Sequence, residues 1–319
     1  MKIVITDAKT VTKGDIDLSV LSAFGEVLAY PLTAQTDLIE RIGDADAVIC
    51  NKSQITREVI EACPNLRYIG LFATGYNNID VVAAREHGIT VCNAGSYSTA
   101  SVAQQVFAFI LNHTTNVAGY DRFVQDGNWM KSETFSPFVF DMCELNGKTL
   151  GIFGFGSIGK AVAKIANAFG MRVIVNTRTQ RDADKEAYHI EYVSFETLLK
   201  ESDYITVHCP LTKETTGIFN AQAFSKMKKN CYLVNTSRGA VLDEKALADA
   251  VKNKVILGAG IDVLTIEPMQ TDCPLIGVDG ITITPHVAWA PYETRKRLLS
   301  IVCDNIKCFL DGTPKNVVS

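Results

Sequence analysis

Three side chains at widely separated positions have the types needed to grip an anion and to pass a proton. Arg238, in Val234-Asn-Thr-Ser-Arg-Gly239, carries a planar fork suited to gripping a carboxylate. His286, in Thr284-Pro-His-Val-Ala-Trp-Ala290, can pass a proton near neutral pH. Glu267, in Asp262-Val-Leu-Thr-Ile-Glu-Pro268, can hold an imidazole's tautomer and favour its charged form. Taken singly, a strand-end histidine is more often structural, and an Arg–Glu pair is more often a surface ion pair. Here each of the three falls just beyond an apolar run of strand length, and together they describe an acid–base site.

A fourth motif says what that site would work beside. Gly154-Phe155-Gly156-Ser157-Ile158-Gly159 is a GxGxxG turn that follows the apolar run Leu150 to Phe153. It opens a helical pattern from Ser157 to Phe169, with Ile158, Ala161, Val162, Ile165 and Ala166 on one face and Gly170 as its stop. Glycines there permit a tight turn and a close backbone approach to a dinucleotide pyrophosphate, and the free N–H groups of the helix attract the anion.

The elements that must position these groups form two series. From Met1 to about Cys92, short apolar strands (Ile3 to Thr6, Ala47 to Cys50, Tyr68 to Leu71, Thr90 to Cys92) alternate with amphipathic helices, with no glycine fingerprint. A second series runs from Thr149 through Arg172 to Val175, Tyr204 to His208, Tyr232 to Asn235, Ile256 to Asp262 and Ile281 to Thr284. Between them lie a long helical pattern from Thr99 to Val117 and an irregular aromatic stretch from Trp129 to Phe140. The amphipathic run Tyr292 to Leu310, with Leu298, Ile301, Val302 and Ile306 on one stripe, is expected to return to the N-terminal half. The pattern therefore predicts an α/β protein of two doubly wound parallel-sheet domains, a Rossmann-type nucleotide-binding domain over 99–287 and a flavodoxin-like substrate domain over 1–98 and 288–319. The ligand crevice is expected between the two, at the carboxyl ends of the second sheet's strands.

Composition narrows the classes. At 319 residues, with 47% hydrophobic and 21% charged residues, the chain reads as an ordinary globular protein of two domains. No apolar run of about eighteen residues is present to span a bilayer, and the start Met1-Lys-Ile-Val-Ile-Thr-Asp reads as a first strand rather than a leader, so the cytoplasm is expected. A net charge of −4 supplies no general field for nucleic acid. Nine scattered cysteines without CxxC spacing are expected to be reduced and mostly buried, and five dispersed histidines suggest no metal cluster, which disfavours a zinc alcohol dehydrogenase.

On these motifs the chain resembles the D-isomer-specific 2-hydroxyacid dehydrogenases over essentially its full length. The matching segments are Gly154 to Gly159, His208-Cys-Pro-Leu-Thr-Lys-Glu-Thr215, Asn235-Thr-Ser-Arg-Gly-Ala240, Gly260 to Val263 with Glu267-Pro268, Thr284-Pro-His286, Ala73-Thr-Gly-Tyr-Asn-Asn-Ile-Asp80 and Asn93 to Gln104. Thr74 to Asn77 with His286 to Glu293 is most similar to the glycerate dehydrogenase or hydroxypyruvate reductase branch. The resemblance implies reduction of a small 2-oxo acid, with hydroxypyruvate and glyoxylate leading. Arg238 would orient the substrate, His286 would be the general acid supported by Glu267, and N–H groups around Thr74 and Gly75 would hold the carboxylate. It also places Asp262, the backbone of Thr236, Ser237 and Arg238, and His286 near a nicotinamide, with His208, Cys209, Pro210 and Thr215 along the dinucleotide path; Cys209 reads equally as a small core residue.

Relatives using NAD usually carry an acidic residue after the strand that follows the fingerprint helix. Here the strand ends Asn176-Thr177-Arg178, supplying donors and a positive charge, so NADP is favoured over NAD. The resemblance also implies a homodimer built through the Thr99 helix and the aromatic stretch. Trp129, Phe135, Phe138, Phe140 and Trp289 could instead wall the site. Two rivals remain at this stage: a formate dehydrogenase, which pairs its histidine with glutamine and has no need of Glu267, and a nicotinamide-dinucleotide-sensing binding protein of the same fold with little turnover.

Overall fold

The computed structural model describes all residues from Met1 to Ser319, and they divide into two compact units, Met1–Ser98 with Trp289–Ser319, and Thr99–Ala288. In the first unit β1 (Lys2–Ile5), β2 (Glu26–Ala29), β3 (Ala47–Cys50), β4 (Tyr68–Leu71) and β5 (Thr90–Cys92) form an all-parallel sheet in the order β2-β1-β3-β4-β5. Its strands are near-continuous apolar runs because both faces are covered. Val4, Val48, Ile69 and Val91 pack against α1 (Leu38–Ile42), α2 (Arg57–Ala62) and α3 (Val81–Glu86).

In the second unit α4 (Thr99–Thr115) and α5 (Val117–Gln125) precede the sheet strands β6 (Thr149–Phe153), β7 (Arg172–Asn176), β8 (Ile190–Tyr192), β9 (Tyr204–Val207), β10 (Tyr232–Asn235), β11 (Gly258–Ile261) and β12 (Ile281–Ile283). They lie in the order β12-β11-β10-β9-β6-β7-β8 and are all parallel. The strand order reverses at β6, whose neighbours are β7 and β9, and such a switch point leaves a crevice beyond the carboxyl ends. One face is covered by α4 and α6 (Ser157–Ala168), through Val106, Phe107, Ile110, Val162 and Ala166. Tyr188 of α7 (Asp182–Tyr188) joins that same face, and the other is covered by α8 (Phe195–Glu201), α9 (Ala221–Ser225) and α10 (Glu244–Lys252). The last helix, α11 (Tyr292–Leu310), belongs to the first unit, where Leu298, Val302 and Ile306 cover Ile3, Ile5 and Ile49 on the sheet's second face.

Several details differ from the sequence reading. The expected helix from Thr99 to Val117 is two helices, because Asn116 adopts a left-handed φ of 47° and α5 buries none of its side chains. Strands β2 and β8 were not anticipated; both are sheet edges, so neither carries a continuous buried run. On α6 the fully buried positions are Gly159, Val162, Ala163 and Ala166, with Ile158, Ala161 and Ile165 only partly covered. Gly159, with no side chain, lets this face approach β6. No helix is long and apolar enough to cross a membrane.

The loop after β3 is held by one carboxylate. Asp7 is buried and accepts the backbone N–H groups of Asn51 (2.9 Å), Lys52 (2.6 Å) and Ser53 (3.0 Å). Asp7→Ala leaves those donors without a partner, and a denaturant melt should show a loss of about 3 kcal/mol. An unchanged midpoint would mean the loop does not depend on that carboxylate.

Candidate active site

The acid–base group is built by the ends of two neighbouring strands. At the end of β11, the Asp262 carboxylate is 1% exposed. It accepts the Thr284 hydroxyl (2.5 Å), the Val287 N–H (2.9 Å) and the Ala288 N–H (2.9 Å), while its backbone carbonyl accepts the His286 N–H (2.7 Å). The loop after β12 is therefore wrapped around one buried anion, and His286 is held at φ 54°, a left-handed conformation uncommon for a residue with a side chain. From there its Nδ1 lies 2.7 Å from Glu267 Oε2, and Glu267 Oε1 accepts the Leu264 N–H at 2.9 Å. A carboxylate can only accept, so Nδ1 carries the proton and Nε2 is the nitrogen left to face a reactant. Both side chains are about one-third exposed, at 27% and 31%.

Arg238 follows β10, the next strand in the sheet. Buried Asn235 braces its turn, accepting the Ser237 N–H (3.0 Å) and hydroxyl (2.9 Å) and donating to the Arg238 carbonyl (2.9 Å). The guanidinium Nη1 donates to the Ser237 carbonyl at 2.7 Å. Gly239 then lets the loop that carries Glu267 come close: a Cβ there would lie 1.9 Å from the Leu264 carbonyl carbon and 2.2 Å from the Thr265 nitrogen. The sheet thus brings His286 and Glu267 into direct contact, with the Arg238 turn packed against the Glu267 loop.

The GxGxxG segment turns from β6 into α6. Gly154 has φ +94°, and a Cβ on it would sit 2.7 Å from the Cys209 nitrogen; one on Gly159 would sit 2.5 Å from the Gly154 carbonyl oxygen. A Cβ on Gly156 would meet nothing within 4 Å, which leaves the backbone open to a ligand on that side. The turn borders a cavity of about 930 Å³ that also includes Phe155, Ser157, Thr177, Arg178, Pro210 and Thr215. A bare glycine face at a helix start and a cavity of this size fit a dinucleotide.

Several of the residues expected along the dinucleotide path border this cavity and also make contacts within the chain. The Asn176 side-chain amide donates to the Val193 carbonyl (2.9 Å), so that donor braces the sheet edge. The Thr215 hydroxyl accepts from Thr212 N–H (2.8 Å) and donates to the Pro210 carbonyl (2.8 Å), which shapes the loop. Burial pushes the Cys209 thiol up to about 11 and the His208 imidazole down to about 3, so both are neutral near pH 7, and both ring nitrogens of His208 are buried without a partner. The Thr236 hydroxyl is likewise buried and unpaired. In the first unit the Thr74 hydroxyl donates to the Gly95 carbonyl and its own carbonyl accepts from Asn93 (2.7 Å), which fixes the Thr74-Gly75 turn. Trp289 packs edge-on against Tyr97 at 6.4 Å.

Four charged groups bordering the cavity escaped the sequence reading: Lys160, Arg181, Asp184 and Glu214. Only Lys160, directly after the third fingerprint glycine, had a sequence signal. The others lie on α7 and on surface loops, where no spacing rule applies. The Glu214 carboxyl is held below its usual range by the Thr212 hydroxyl, with a smaller contribution from Arg178.

Residues 107–288 match the family model described as D-isomer specific 2-hydroxyacid dehydrogenase, NAD binding domain. The chain is 43% identical to a hydroxypyruvate reductase of Blautia hydrogenotrophica over 100% of both chains, and 40% identical to a glyoxylate reductase of Thermococcus litoralis, covering 88% of this chain and 86% of that one. Among solved structures it is similar to an acyclic imino acid reductase in complex with NADPH and D-Arg, with a TM-score of 0.88, 31% identity and full coverage of both chains. A matched nucleotide-binding half, relatives of this identity over the full length and a His–Glu pair at the expected strand ends have one reading: the chain belongs to the D-isomer-specific 2-hydroxyacid dehydrogenase family.

Proposed function

We propose that the protein reduces a small 2-oxo acid, hydroxypyruvate or glyoxylate, to the D-2-hydroxy acid at the expense of NADPH, with His286 as proton donor. The 2.7 Å contact between His286 Nδ1 and Glu267 carries the proposal, because it fixes the tautomer and leaves Nε2 as the nitrogen that meets the substrate. Relatives named hydroxypyruvate reductase and glyoxylate reductase support the substrate class and disfavour a sensor without turnover.

When bound, a reduced nicotinamide supplies the hydride. The chain's own residues do the rest. Arg238 binds and orients the 2-oxo acid, His286 Nε2 gives its proton to the carbonyl oxygen as negative charge develops there, and the Glu267 carboxylate holds the ring in place while that proton leaves. In the reverse direction the neutral imidazole takes the hydroxyl proton. Burial keeps His208 neutral, so it does not compete as an acid.

For the cofactor, Thr177 stands where an NAD-binding carboxylate would be, and Arg178 borders the same cavity. The structural relative bound to NADPH supports this assignment. For assembly, Met130, Phe135 and Phe138 are 88%, 91% and 88% exposed on the segment after α5, an apolar surface of the kind a second subunit covers, so we infer a homodimer. Nine unpaired cysteines and a nicotinamide cofactor fit the reducing cytoplasm.

His286→Ala should lower kcat with hydroxypyruvate by roughly 10²–10⁴ while leaving the Kd for NADP+ near that of the wild type; a single-turnover rate close to wild type would refute the acid role. The wild-type kcat/KM should favour NADPH over NADH by at least about tenfold, and Thr177→Asp should narrow or invert that ratio by placing a carboxylate against the 2′-phosphate. An NADH preference in the wild type would overturn the cofactor assignment. Sedimentation at micromolar concentration should give the mass of two chains, and a monomer would contradict the proposed assembly.

A further inference from the structure

Lys160 is the residue after the third fingerprint glycine, on the first turn of α6, and its Nζ reaches over to α7 to lie 2.7 Å from Asp184 Oδ1. The two side chains are 25% and 13% exposed and both border the cavity that Thr177 and Arg178 line. The ammonium also faces two aromatic rings, 5.7 Å from the centre of Phe155 and 5.2 Å from that of Tyr188, and those rings pack edge to face at 5.6 Å. The adjoining backbone is pinned: the Tyr192 hydroxyl accepts the Arg181 N–H at 3.2 Å and donates to the Arg181 carbonyl at 3.3 Å, on the loop that runs from Arg178 into α7. Asp184 therefore neutralises a lysine on the cavity that the residues after β7 also line, and the end of that strand is where the adenosine ribose of a dinucleotide sits in this fold.

We propose that Lys160 is a specificity-determining residue for the phosphorylated cofactor, and that Asp184 is the counter-ion it exchanges for the ribose 2′-phosphate. The inference rests on the NADPH reading given above and adds a residue and a control element to it. Three features favour exchange over a fixed structural bridge. A lysine ammonium is a compact charge on a flexible four-carbon stem with three donors, so it can change acceptors without moving the backbone. A dianionic phosphate attracts it more strongly than one carboxylate, which is itself a liability next to that phosphate. The faces of Phe155 and Tyr188 keep the cation favourably placed beside both acceptors. A ribose carrying only hydroxyls offers no such exchange, so Lys160 stays with Asp184, and the pair then adds nothing to binding of the non-phosphorylated cofactor.

The test is calorimetric titration of the full-length protein with NADP+ and with NAD+, reading the ratio of the two dissociation constants. Because Lys160→Met alone strands a largely buried carboxylate, the primary variant is the neutral pair Lys160→Met with Asp184→Asn. It should shift the ratio toward NAD+ by about tenfold and make the NADP+ constant less dependent on salt. Asp184→Asn alone should shift the ratio toward NADP+ by roughly threefold, since the competing counter-ion is gone. Lys160→Arg should retain most of the wild-type ratio. If the wild type prefers NADP+ and the neutral pair changes the ratio by less than about twofold, the exchange is refuted while the NADPH reading stands. If the wild type itself binds NAD+ more tightly, the NADPH reading fails and the inference fails with it.

Discussion

The buried carboxylate of Asp262 sets the geometry on which the chemistry depends. It stands at the end of one strand and gathers the hydroxyl of Thr284 and the N–H groups of Val287 and Ala288 from the loop that leaves the next. Left to itself, a histidine costs about 1–3 kcal/mol to keep in the left-handed region. Four hydrogen bonds accepted by Asp262, counting the one its carbonyl takes from the His286 N–H, offset that cost and hold the backbone from which the imidazole reaches Glu267. A side chain held in place in advance needs no reorganisation while charge develops beside it, which is an advantage a folded site has over solvent.

The same unit handles charge in two opposite ways at its two working ends. Around His286 and Glu267, an imidazole and a carboxylate are paired at the edge of solvent. Along the nucleotide cavity the sheet interior removes charge instead: burial holds His208 as a neutral imidazole and Cys209 as a thiol. The cationic side chains that border the cavity are Arg178, Arg181 and Lys160, within a chain whose net charge is −4. Local placement, not overall charge, decides which anion the cavity suits.

Much of this was legible in the residues. The buried parallel strands are continuous apolar runs, so β1, β3, β4, β6, β9 and β10 stood out. The edge strand β2, with Glu26, Leu28 and Ala29 exposed, had no such signature. GxGxxG announces its own turn because only glycine tolerates the Gly154 conformation and its contact with the Cys209 backbone. Arg238, Glu267 and His286 were found by type and by position after strands. That the Asn176 amide donates to the Val193 carbonyl had no sequence signal, because Val193 is its neighbour only through the β7–β8 pairing.

By itself, then, the amino-acid order determined what repeats locally: strand and helix periodicity, the glycine turn, and which side chains can carry a proton or grip an anion. Tertiary structure alone decided which of those groups meet. That the His286 ring lies against Glu267 rather than in water, that Asp262 braces a loop with every oxygen it has, and that Lys160 is matched to Asp184 on another helix all follow from the order in which parallel strands line up. The physical reason is range: backbone conformation is set by neighbours a few residues away, whereas an ion pair across 19 or 24 residues exists only once a sheet has placed both ends within hydrogen-bonding distance.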